Sequence, residues 1–317
     1  DYKFSQIFNG IKENIILKNT NFYSIIENVD LLRSYNFDKI VFCEIGMDGN
    51  ALNLAYFRMA RIQYNTWGHS DTSGFDNIDY FVSSKLYEEE YKLAQENYTE
   101  KLILQNSLCT SYVNPSENYV LDTPRTYYGL SKYDKIILCP QSLFKIMPEY
   151  DDYIFDILKD NPEASVVFVD SLDKKYQMYD RWDNKLTLEY QGILSRVKFI
   201  GSLDHKKFVN LIKLCDVMID PYPFGGCNTS FEAFSVDIPV VTRPSTRING
   251  RFTHGFYIKM GFTDLVANNK KEYVNLVTRL LNDTEFKNNT VEKIKNNKDK
   301  LFKDQETLQE WEELMSQ

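Results

Sequence analysis

The sequence contains few residues of the kinds that build disulfide frameworks or metal clusters. Its 317 residues include five cysteines and three histidines. The cysteines are odd in number, lie scattered along the chain and form no CxxC pair, so neither structural disulfides nor a zinc cluster is expected. His69, His205 and His254 lie far apart and provide no HExxH spacing. We therefore expect a functional site without a metal ion and without a cofactor.

Two common nucleotide-binding motifs are also absent from the sequence. No GxGxxG follows an apolar run, and no GxxxxGK[ST] occurs anywhere. The main reasons to predict a dinucleotide-binding domain or a P-loop are therefore missing. These absences do not exclude the binding of another kind of nucleotide.

Long apolar runs are missing as well. No stretch approaches the roughly 18–20 consecutive apolar residues that a membrane-spanning helix needs. The first ten residues, DYKFSQIFNG, lack the basic and then apolar pattern of a secretory signal. We therefore expect an intracellular, cytoplasmic protein with no membrane span.

Positive charge is in the minority. The chain has 37 Lys and Arg against 45 Asp and Glu, a net charge of −8, and a pI near 5.1. Such a surface repels phosphate polymers and anionic lipid, so nucleic acid and membranes are poor partners. The 43% hydrophobic and 15% aromatic content is enough for sizeable cores, and the length predicts two domains.

The apolar pattern predicts an α/β protein. Short β-branched runs alternate with amphipathic helical stretches in the second half, as in a parallel sheet covered by helices. Six strands are predicted there, at Lys135–Cys139, Ser165–Val169, Val197–Ile200, Val217–Ile219, Pro239–Thr242 and Leu265–Ala267. The first half predicts a smaller α/β unit, with strands at Lys39–Cys43, Ile62–Tyr64 and Ile78–Val82.

Domain boundaries follow from the same pattern. Residues 110–133 carry two prolines and no sustained period, which predicts a linker. We therefore expect a first domain with its linker over residues 1–133 and a second domain over 134–295. Residues 296–317 are expected to form a helix, either solvated or packed back on the first domain. Ligands of open parallel sheets bind beyond the carboxyl ends of the strands, so we look for the site in the loops there, facing a cleft between the domains.

The most informative loop is the segment from Asp220 to Glu232, DPYPFGGCNTSFE. It joins a predicted strand to a predicted helix through Gly225 and Gly226, which permit close approach of a ligand. Asn228, Thr229 and Ser230 are good N-cap residues, and a helix start of this kind suits a phosphate. A tight turn with an ordinary cap is the plainer alternative. Glu232 could counter the helix dipole or accept hydrogen bonds from ribose hydroxyls.

Two further strand-end residues are candidates for a ligand site in the second domain. Lys145, in CPQSLFKIMP, follows a predicted strand and could complement a diphosphate. His205 begins the helix that follows the predicted strand Val197–Ile200. The alternatives are an exposed loop lysine and a half-buried helix-start histidine.

In the first domain, the loop WGHSDTSG places His69 among small polar residues directly after a predicted strand. An imidazole there could act as a general base or orient an acceptor. Asp48, in IGMDGN, is a second candidate, although Asp-Gly is also a common turn dipeptide. A hydrogen-bonded loop histidine and an ordinary turn are the alternatives.

In order along the chain, several segments together resemble one family. They are MARIQYNTWGHSDTSGFDNIDYFV, YTEKL, PRTYYGL, KIILCPQSLFKIMP, DVMIDPYPFGGCNTSFEAFSVDIPVVTRP and MGFTDLVANNKKEYV. The chain resembles the polypeptide O-GlcNAc transferases and their bacterial relatives, the HMW1C-type N-glucosyltransferases. The resemblance implies a GT-B fold, in which two Rossmann-like domains with parallel sheets face a central cleft. It also implies metal-independent, inverting transfer of a sugar from a UDP-sugar to a protein side chain.

The resemblance also assigns residues. It implies that Lys145 contacts the donor diphosphate, that His205 lies in the nucleoside region and that Glu232 binds the ribose. The full set of donor-binding residues that it implies is Gln141, Ser142, Lys145, Ser202, Leu203, His205, Phe224, Gly225, Gly226, Cys227, Asn228, Thr229 and Glu232. The expected catalytic residues are Lys145, His69 and Asp48, with His69, Asp48 or a donor phosphate oxygen as the base.

Departures from the family pattern leave alternatives open. PYPFGG is closer to the glucosyltransferase branch, whereas DTSG and YYGL are closer to the GlcNAc branch, so the donor is either UDP-glucose or UDP-GlcNAc. The acceptor-side residues usual near the N-terminus are unmatched. A transferase that acts on a glycan or small molecule, and a catalytically silent UDP-sugar binder, are the alternatives to a protein-modifying enzyme.

Overall fold

The computed structural model describes residues 17, 22–131, 134–170, 175–183 and 192–317. Residues 1–10, in which no secretory signal is predicted, lie outside this part of the chain, as does the predicted domain boundary at residue 133. The chain divides into two compact units. The first holds the described residues up to Val82 together with 95–103, and the second holds the described residues of 83–94 and 104–317.

In the part of the chain that is described, the first sheet has four strands in sequential order. They are β1 (Lys39–Phe42), β2 (Ile62–Thr66), β3 (Tyr80–Ser84) and β4 (Lys101–Gln105). β1 and β3 both pair in parallel with β2. The helices before and between the strands are α1 (Phe22–Ser34), α2 (Gly49–Ala55) and α3 (Tyr91–Gln95). β1 to β3 overlap their predicted positions, whereas β4 was not predicted because its apolar run, Leu102 to Leu104, is too short to reveal a period.

The second sheet has five parallel strands in the described chain. They are β5 (Lys135–Cys139), β6 (Ala164–Val169), β7 (Val197–Ile200), β8 (Val217–Ile219) and β9 (Val240–Val241), in the spatial order β7-β6-β5-β8-β9. Most residues of these strands are fully buried, as expected of a sheet covered on both faces. The chain order reverses between β5 and β8, which makes that pair the switch point of the sheet.

Eight helices of the described chain lie in the second unit, together with the second sheet. They are α4 (Pro148–Asp160), α5 (Lys175–Asp183), α6 (His205–Lys213), α7 (Asn228–Ser235), α8 (Phe252–Met260), α9 (Lys270–Asn282), α10 (Thr284–Asn297) and α11 (Gln305–Ser316). Pro148 occupies the first turn of α4, where its missing N–H has no intrahelical acceptor to lose. None of the helices in the described part of the chain is long and apolar enough to cross a membrane.

The sixth predicted strand of this sheet, Leu265–Ala267, is wrong. It contributes a single parallel bridge between Thr242 and Val266 instead of a strand. Two backbone bonds, from Thr242 N to Leu265 O and from Ala267 N to Thr242 O, make up this pairing. The partner strand β9 is itself only two residues long, so there is no edge on which a sixth strand could extend.

The predicted linker at residues 110–133 is not a free connection where the structure describes it. Two short 3-10 helices, Pro115–Asn118 and Arg125–Tyr128, lie in this segment. Arg125 Nε donates to Leu214 O at 3.1 Å, and Tyr128 OH donates to Lys207 O at 2.9 Å. These bonds attach the segment to α6 and its C-terminal end, within the second unit.

The C-terminal helix α11 contacts the chain that follows β4. The Glu310 carboxylate accepts hydrogen bonds from the backbone N–H groups of Asn106 and Ser107, at 2.8 and 3.0 Å. Trp311 Nε1 donates to Cys109 O at 3.3 Å. These groups all belong to the second unit, so α11 is tied to the rest of that unit by side-chain to backbone bonds.

Candidate functional site

The candidate site lies at the switch point of the second sheet, where loops follow β5 and β8. Gln141 lies in the first loop and Thr229 near the end of the second, and Gln141 Nε2 donates to Thr229 Oγ1 at 2.5 Å. A Cβ on Gly226 would lie 2.3 Å from both of these atoms. Only glycine therefore allows the two loops to approach in this way. The structure thus brings together predicted residues that are 88 positions apart in the chain.

Asp220 organises the turn that contains Gly225 and Gly226. Its carboxylate is buried and accepts hydrogen bonds from Gly226 N at 2.6 Å and from Thr242 Oγ1 at 2.8 Å. A Cβ on Gly225 would lie 2.8 Å from the same carboxylate. Burial raises the pKa of Asp220, and the hydrogen bonds it accepts counter part of that rise. Asp220 was not predicted as a site residue, although its position directly after a buried strand is a usable signal.

Lys145 reaches the same turn from the loop after β5. It ends a short 3-10 helix, Leu143–Lys145, which follows Ser142. Its Nζ donates to Gly225 O at 3.3 Å and lies 4.1 Å from the centroid of the Phe224 ring. Burial lowers the pKa of Lys145, and the negative charge of Asp220 partly offsets that change. The structure therefore places a half-buried cation against the Gly-Gly turn.

The start of α7 follows this turn at once. Cys227 is the N-cap residue and makes no side-chain cap bond. Burial raises the pKa of the Cys227 thiol, so the thiol is neutral at physiological pH. The N–H groups of Asn228 and Thr229 stand in the first turn, where no intrahelical acceptor exists, at the positive end of the helix dipole. This end of α7 can therefore accept an anion.

Glu232 and His205 form a pair beside the same helix start. Glu232 lies one turn into α7 with its side chain 7% exposed, and His205 Nε2 lies 2.7 Å from its Oε1. Burial raises the pKa of Glu232, and the hydrogen bond from His205 opposes the rise. His205 is the first residue of α6, after a loop in which Ser202 is exposed and Leu203 is half-buried. A buried carboxylate with one oxygen held by an imidazole is suited to accept hydrogen bonds from hydroxyls.

Tyr119 completes this group and was not predicted. Its hydroxyl lies 2.9 Å from His205 Nδ1, and the two rings meet edge to face with centroids 5.5 Å apart. Nothing in the sequence pairs these residues, because they are 86 positions apart and Tyr119 falls in the segment predicted as a linker. The contact could be found only from the packing of that segment on α6.

The first unit carries the other two predicted catalytic residues. His69 lies in the loop after β2, and its ring packs so closely on Gly46 that a Cβ there would lie 2.8 Å from Nδ1. The Nδ1 atom is buried and has no hydrogen-bond partner in the part of the chain that is described. Asp48 is the N-cap of α2 and accepts a hydrogen bond from Asn50 N at 2.6 Å. Asp48 therefore has a helix-capping role, and its predicted catalytic role stays a prediction.

The loop that contains His69 continues into a buried hydrogen-bond network around Glu100. The Glu100 carboxylate accepts hydrogen bonds from Thr72 Oγ1 at 2.6 Å, from Ser73 N at 2.8 Å and from the Ser73 hydroxyl. The Glu100 side chain is almost fully buried. The network fixes the DTSG part of the loop. In the sequence, only the acidic residue of YTEKL, Glu100, indicates it.

Comparison with known proteins supplies further findings. The sequence profile of glycosyl transferase family 41 matches residues 105–310. The chain is 22% identical over 239 residues to the UDP-glucose:protein N-beta-glucosyltransferase of Actinobacillus pleuropneumoniae serotype 5b, which covers 74% of this chain and 37% of that protein. It is 26% identical over 245 residues to the probable UDP-N-acetylglucosamine--peptide N-acetylglucosaminyltransferase SPINDLY of Hordeum vulgare, covering 74% and 24%. The chain thus spans well under half the length of these relatives.

Superposition on solved structures identifies the fold of the chain. A mutant of the O-GlcNAc transferase of Thermobaculum terrenum superposes with a TM-score of 0.72 at 20% identity, covering 89% of this chain and 52% of that one. The lipopolysaccharide glycosyltransferase WaaG superposes with a TM-score of 0.55 at 11% identity, covering 90% and 82%. Both are GT-B proteins, so the predicted α/β fold of GT-B type with parallel sheets is confirmed.

Proposed function

The chain belongs to glycosyl transferase family 41, and on that premise we propose that it is a UDP-sugar-dependent hexosyltransferase whose second unit binds the donor. The donor-binding residues of this proposal are Gln141, Ser142, Lys145, Ser202, Leu203, His205, Phe224, Gly225, Gly226, Cys227, Asn228, Thr229 and Glu232. The acceptor of the sugar is a protein side chain.

The observation that carries the proposal is the grouping of one cation, one helix start and one buried carboxylate at a single sheet edge. Lys145 Nζ contacts the carbonyl of Gly225, three residues before α7 begins at Asn228. A half-buried ammonium beside a helix N-terminus suits the charge of a diphosphate. Glu232, one turn further into α7, suits the hydroxyls of a ribose. The groups that suit the phosphates therefore come before the carboxylate that suits the ribose, in the same order as these parts follow one another in a nucleoside diphosphate.

The choice of donor sugar and acceptor is supported by the names of the relatives. One is a UDP-glucose:protein glucosyltransferase, and the other is a probable UDP-N-acetylglucosamine--peptide transferase. We therefore take glucose and N-acetylglucosamine as the two donor sugars to test. The acceptor group is a hydroxyl or an amide of a polypeptide.

The proposed reaction is a single displacement with inversion. The acceptor atom forms a bond to the anomeric carbon while the bond from that carbon to the UDP oxygen breaks on the opposite face, and UDP leaves with the electron pair. The acceptor proton goes to a base, for which His69 is proposed, with Asp48 or a donor phosphate oxygen as alternatives. Negative charge grows on the β-phosphate, where Lys145 and the N–H groups of Asn228 and Thr229 stabilise it. Because these groups supply the positive charge, the proposed reaction needs no metal ion.

Two measurements test the proposal. Calorimetry with UDP on the whole chain should register binding, and absence of heat at millimolar UDP would contradict the proposed donor site. Incubation with labelled UDP-GlcNAc or UDP-glucose and a peptide library should then place label on peptide. Label on a glycan or small molecule instead would contradict the protein acceptor, and UDP binding without any transfer would make the chain a silent binder.

A further inference from the structure

Tyr119 contacts the proposed nucleoside end of the donor site without belonging to the predicted set of residues. Its hydroxyl is 2.9 Å from His205 Nδ1, and His205 Nε2 is 2.7 Å from Glu232 Oε1. The three side chains therefore form a continuous row from a half-buried tyrosine to a buried carboxylate. The predicted ribose-binding residue lies at the buried end of this row.

The chemistry of the row sets the direction of each hydrogen bond for a neutral imidazole and an ionised carboxylate. A carboxylate only accepts, so the His205 imidazole donates its Nε2–H to Glu232. A neutral imidazole with its proton on Nε2 has an acceptor at Nδ1. The Tyr119 hydroxyl therefore donates to Nδ1 and favours the tautomer that holds Oε1 of Glu232. Oε2 then has no hydrogen-bond partner in the described chain and is free for a ligand hydroxyl.

The backbone around Tyr119 is anchored to the same helix that carries Glu232. Asn114 Oδ1 accepts from Ser116 N at 3.0 Å at the start of the 3-10 helix that precedes Tyr119. Ser116 Oγ lies 3.1 Å from Ser235 O, the carbonyl of the last residue of α7, and 2.8 Å from Asn114 Oδ1, and its one proton is shared between these two acceptors. Tyr119 N donates to Ser116 O at 3.3 Å. The tyrosine is therefore held in place relative to α7 at two points, by its backbone near Ser235 and by its hydroxyl through His205.

A second ring from the same segment packs on α7 beside Glu232. The rings of Tyr112 and Phe231 stack with centroids 4.4 Å apart and an interplanar angle of 3°. Burial raises the pKa of Tyr112 to about 12, and the charge of Glu232 adds to the rise. Tyr112 is therefore neutral in the physiological range.

We propose that Tyr119 is a positioning residue of the donor site: through His205 it orients the Glu232 carboxylate that receives the ribose hydroxyls of the nucleotide. The inference rests on the proposed function, because it assigns a residue to the same site. Tyr119 does not touch the ligand in this scheme. Its effect is transmitted through the His205 ring alone.

The test compares Tyr119→Phe with Tyr127→Phe. Both changes remove one hydroxyl from the same segment, but Tyr127 is exposed and lies near Lys207 instead of His205. Loss of one hydrogen bond is expected to weaken UDP binding by about two- to tenfold in Tyr119→Phe, and Tyr127→Phe should bind as the wild type does. In the Glu232→Gln background, Tyr119→Phe should add no comparable loss, because the two changes remove one coupled unit.

A spectroscopic readout separates positioning from a merely structural role. In ligand-free protein, the ¹⁵N resonance of His205 Nδ1 should move in Tyr119→Phe and stay in place in Tyr127→Phe, while both variants keep the wild-type melting temperature. If the wild type binds UDP and Tyr119→Phe binds it equally well, the inference is overturned and the donor site stands. The same follows if the loss of UDP affinity in Tyr119→Phe adds fully to the loss in Glu232→Gln. If the wild type binds no UDP, the proposed function and the inference fail together.

Discussion

Lys145 Nζ donates a hydrogen bond to the carbonyl oxygen of Gly225 at 3.3 Å, from a loop that follows a different strand. The carbonyl belongs to the Gly-Gly turn that leads into α7, so the ammonium stands beside the amide groups at the start of that helix. The two sources of positive charge in the proposed donor site therefore come from the two loops at the switch point. Their separate origins allow each to be removed without the other.

Replacement of Lys145 by alanine should abolish most of the turnover and keep the fold. Loss of one preorganised group that meets developing charge lowers kcat by about 10²–10³-fold. Activity on a UDP-sugar and thermal melting should be measured for Lys145→Ala and for Lys271→Ala, which removes an exposed lysine of α9. Equal rates in the two variants would remove Lys145 from the mechanism.

Replacement of Gly226 by alanine should disrupt the junction of the two loops. The new Cβ would lie 2.3 Å from Gln141 Nε2 and Thr229 Oγ1, so the hydrogen bond between these side chains must break. We expect a loss of about 1–3 kcal/mol in the free energy of unfolding, as for other overpacked sites, together with weaker UDP binding. Urea denaturation and calorimetry measure the two effects.

Gly49→Ala is the matched control for this change. Gly49 begins α2, has no atom within 4 Å of its added Cβ, and has no left-handed backbone to strain. Alanine there should leave stability unchanged or raise it slightly, because alanine is the better helix former. A Gly226→Ala protein as stable as Gly49→Ala, and with wild-type affinity for UDP, would refute the steric argument.

The strands that position the site were readable from the sequence because each is a short run of mostly apolar residues. Val197–Ile200 and Val217–Ile219 form strands over the same residues that the apolar runs predicted. The run Leu265–Ala267 is apolar as well but forms only a bridge, because strand formation also depends on the length of the neighbour. Composition alone cannot distinguish these cases.

The contacts within the site could be predicted only in part. Lys145 and Glu232 were chosen because each follows the carboxyl end of a strand, and such ends share one edge of a parallel sheet. The bond from His205 to Glu232 depends on the rotation of two helices about their axes, and the bond to Tyr119 depends on a docked irregular segment. Neither the rotation of the helices nor the docking of the irregular segment produces a periodic pattern in the sequence.

Asp220→Asn should change the pH dependence of stability in a defined direction. Burial raises the pKa of Asp220 above its ordinary value of 3.8, so the folded state binds a proton more tightly than the unfolded state. The stabilisation from this proton is complete below the ordinary pKa and is lost as pH rises through the raised folded value. The wild type should therefore lose stability relative to Asp220→Asn as pH increases from about 4.

The comparison needs only urea unfolding of both proteins over a pH series, since every other titrating group is shared. Asparagine keeps an oxygen that can accept the hydrogen bond from Gly226 N, so the turn is retained. A difference in stability that is constant with pH, or a wild type that gains stability relative to Asp220→Asn as pH rises, would contradict the assignment of a raised pKa to Asp220.

Removal of metal ions should leave the reaction rate unchanged. In the proposed mechanism the leaving diphosphate is met by Lys145 and by the N–H groups at the start of α7. The measurement is the initial rate of sugar transfer in the presence of EDTA, compared with the rate after Mg²⁺ or Mn²⁺ is added back. A rate that falls with EDTA and returns with either ion would reject a metal-independent reaction.

His69→Asn tests the identity of the base. The Nδ1 atom of His69 is buried against Gly46, so Nε2 is the atom that would receive the acceptor proton. Loss of a general base lowers kcat by about 10²–10⁴-fold, so the rate of sugar transfer by His69→Asn should fall by about that factor. Thermal melting checks the loop, which the Glu100 network holds independently of the imidazole. A His69→Asn variant that keeps its rate would pass the role to Asp48, whose own change to asparagine should then lower the rate. If Asp48→Asn also keeps its rate, a phosphate oxygen of the donor takes the role.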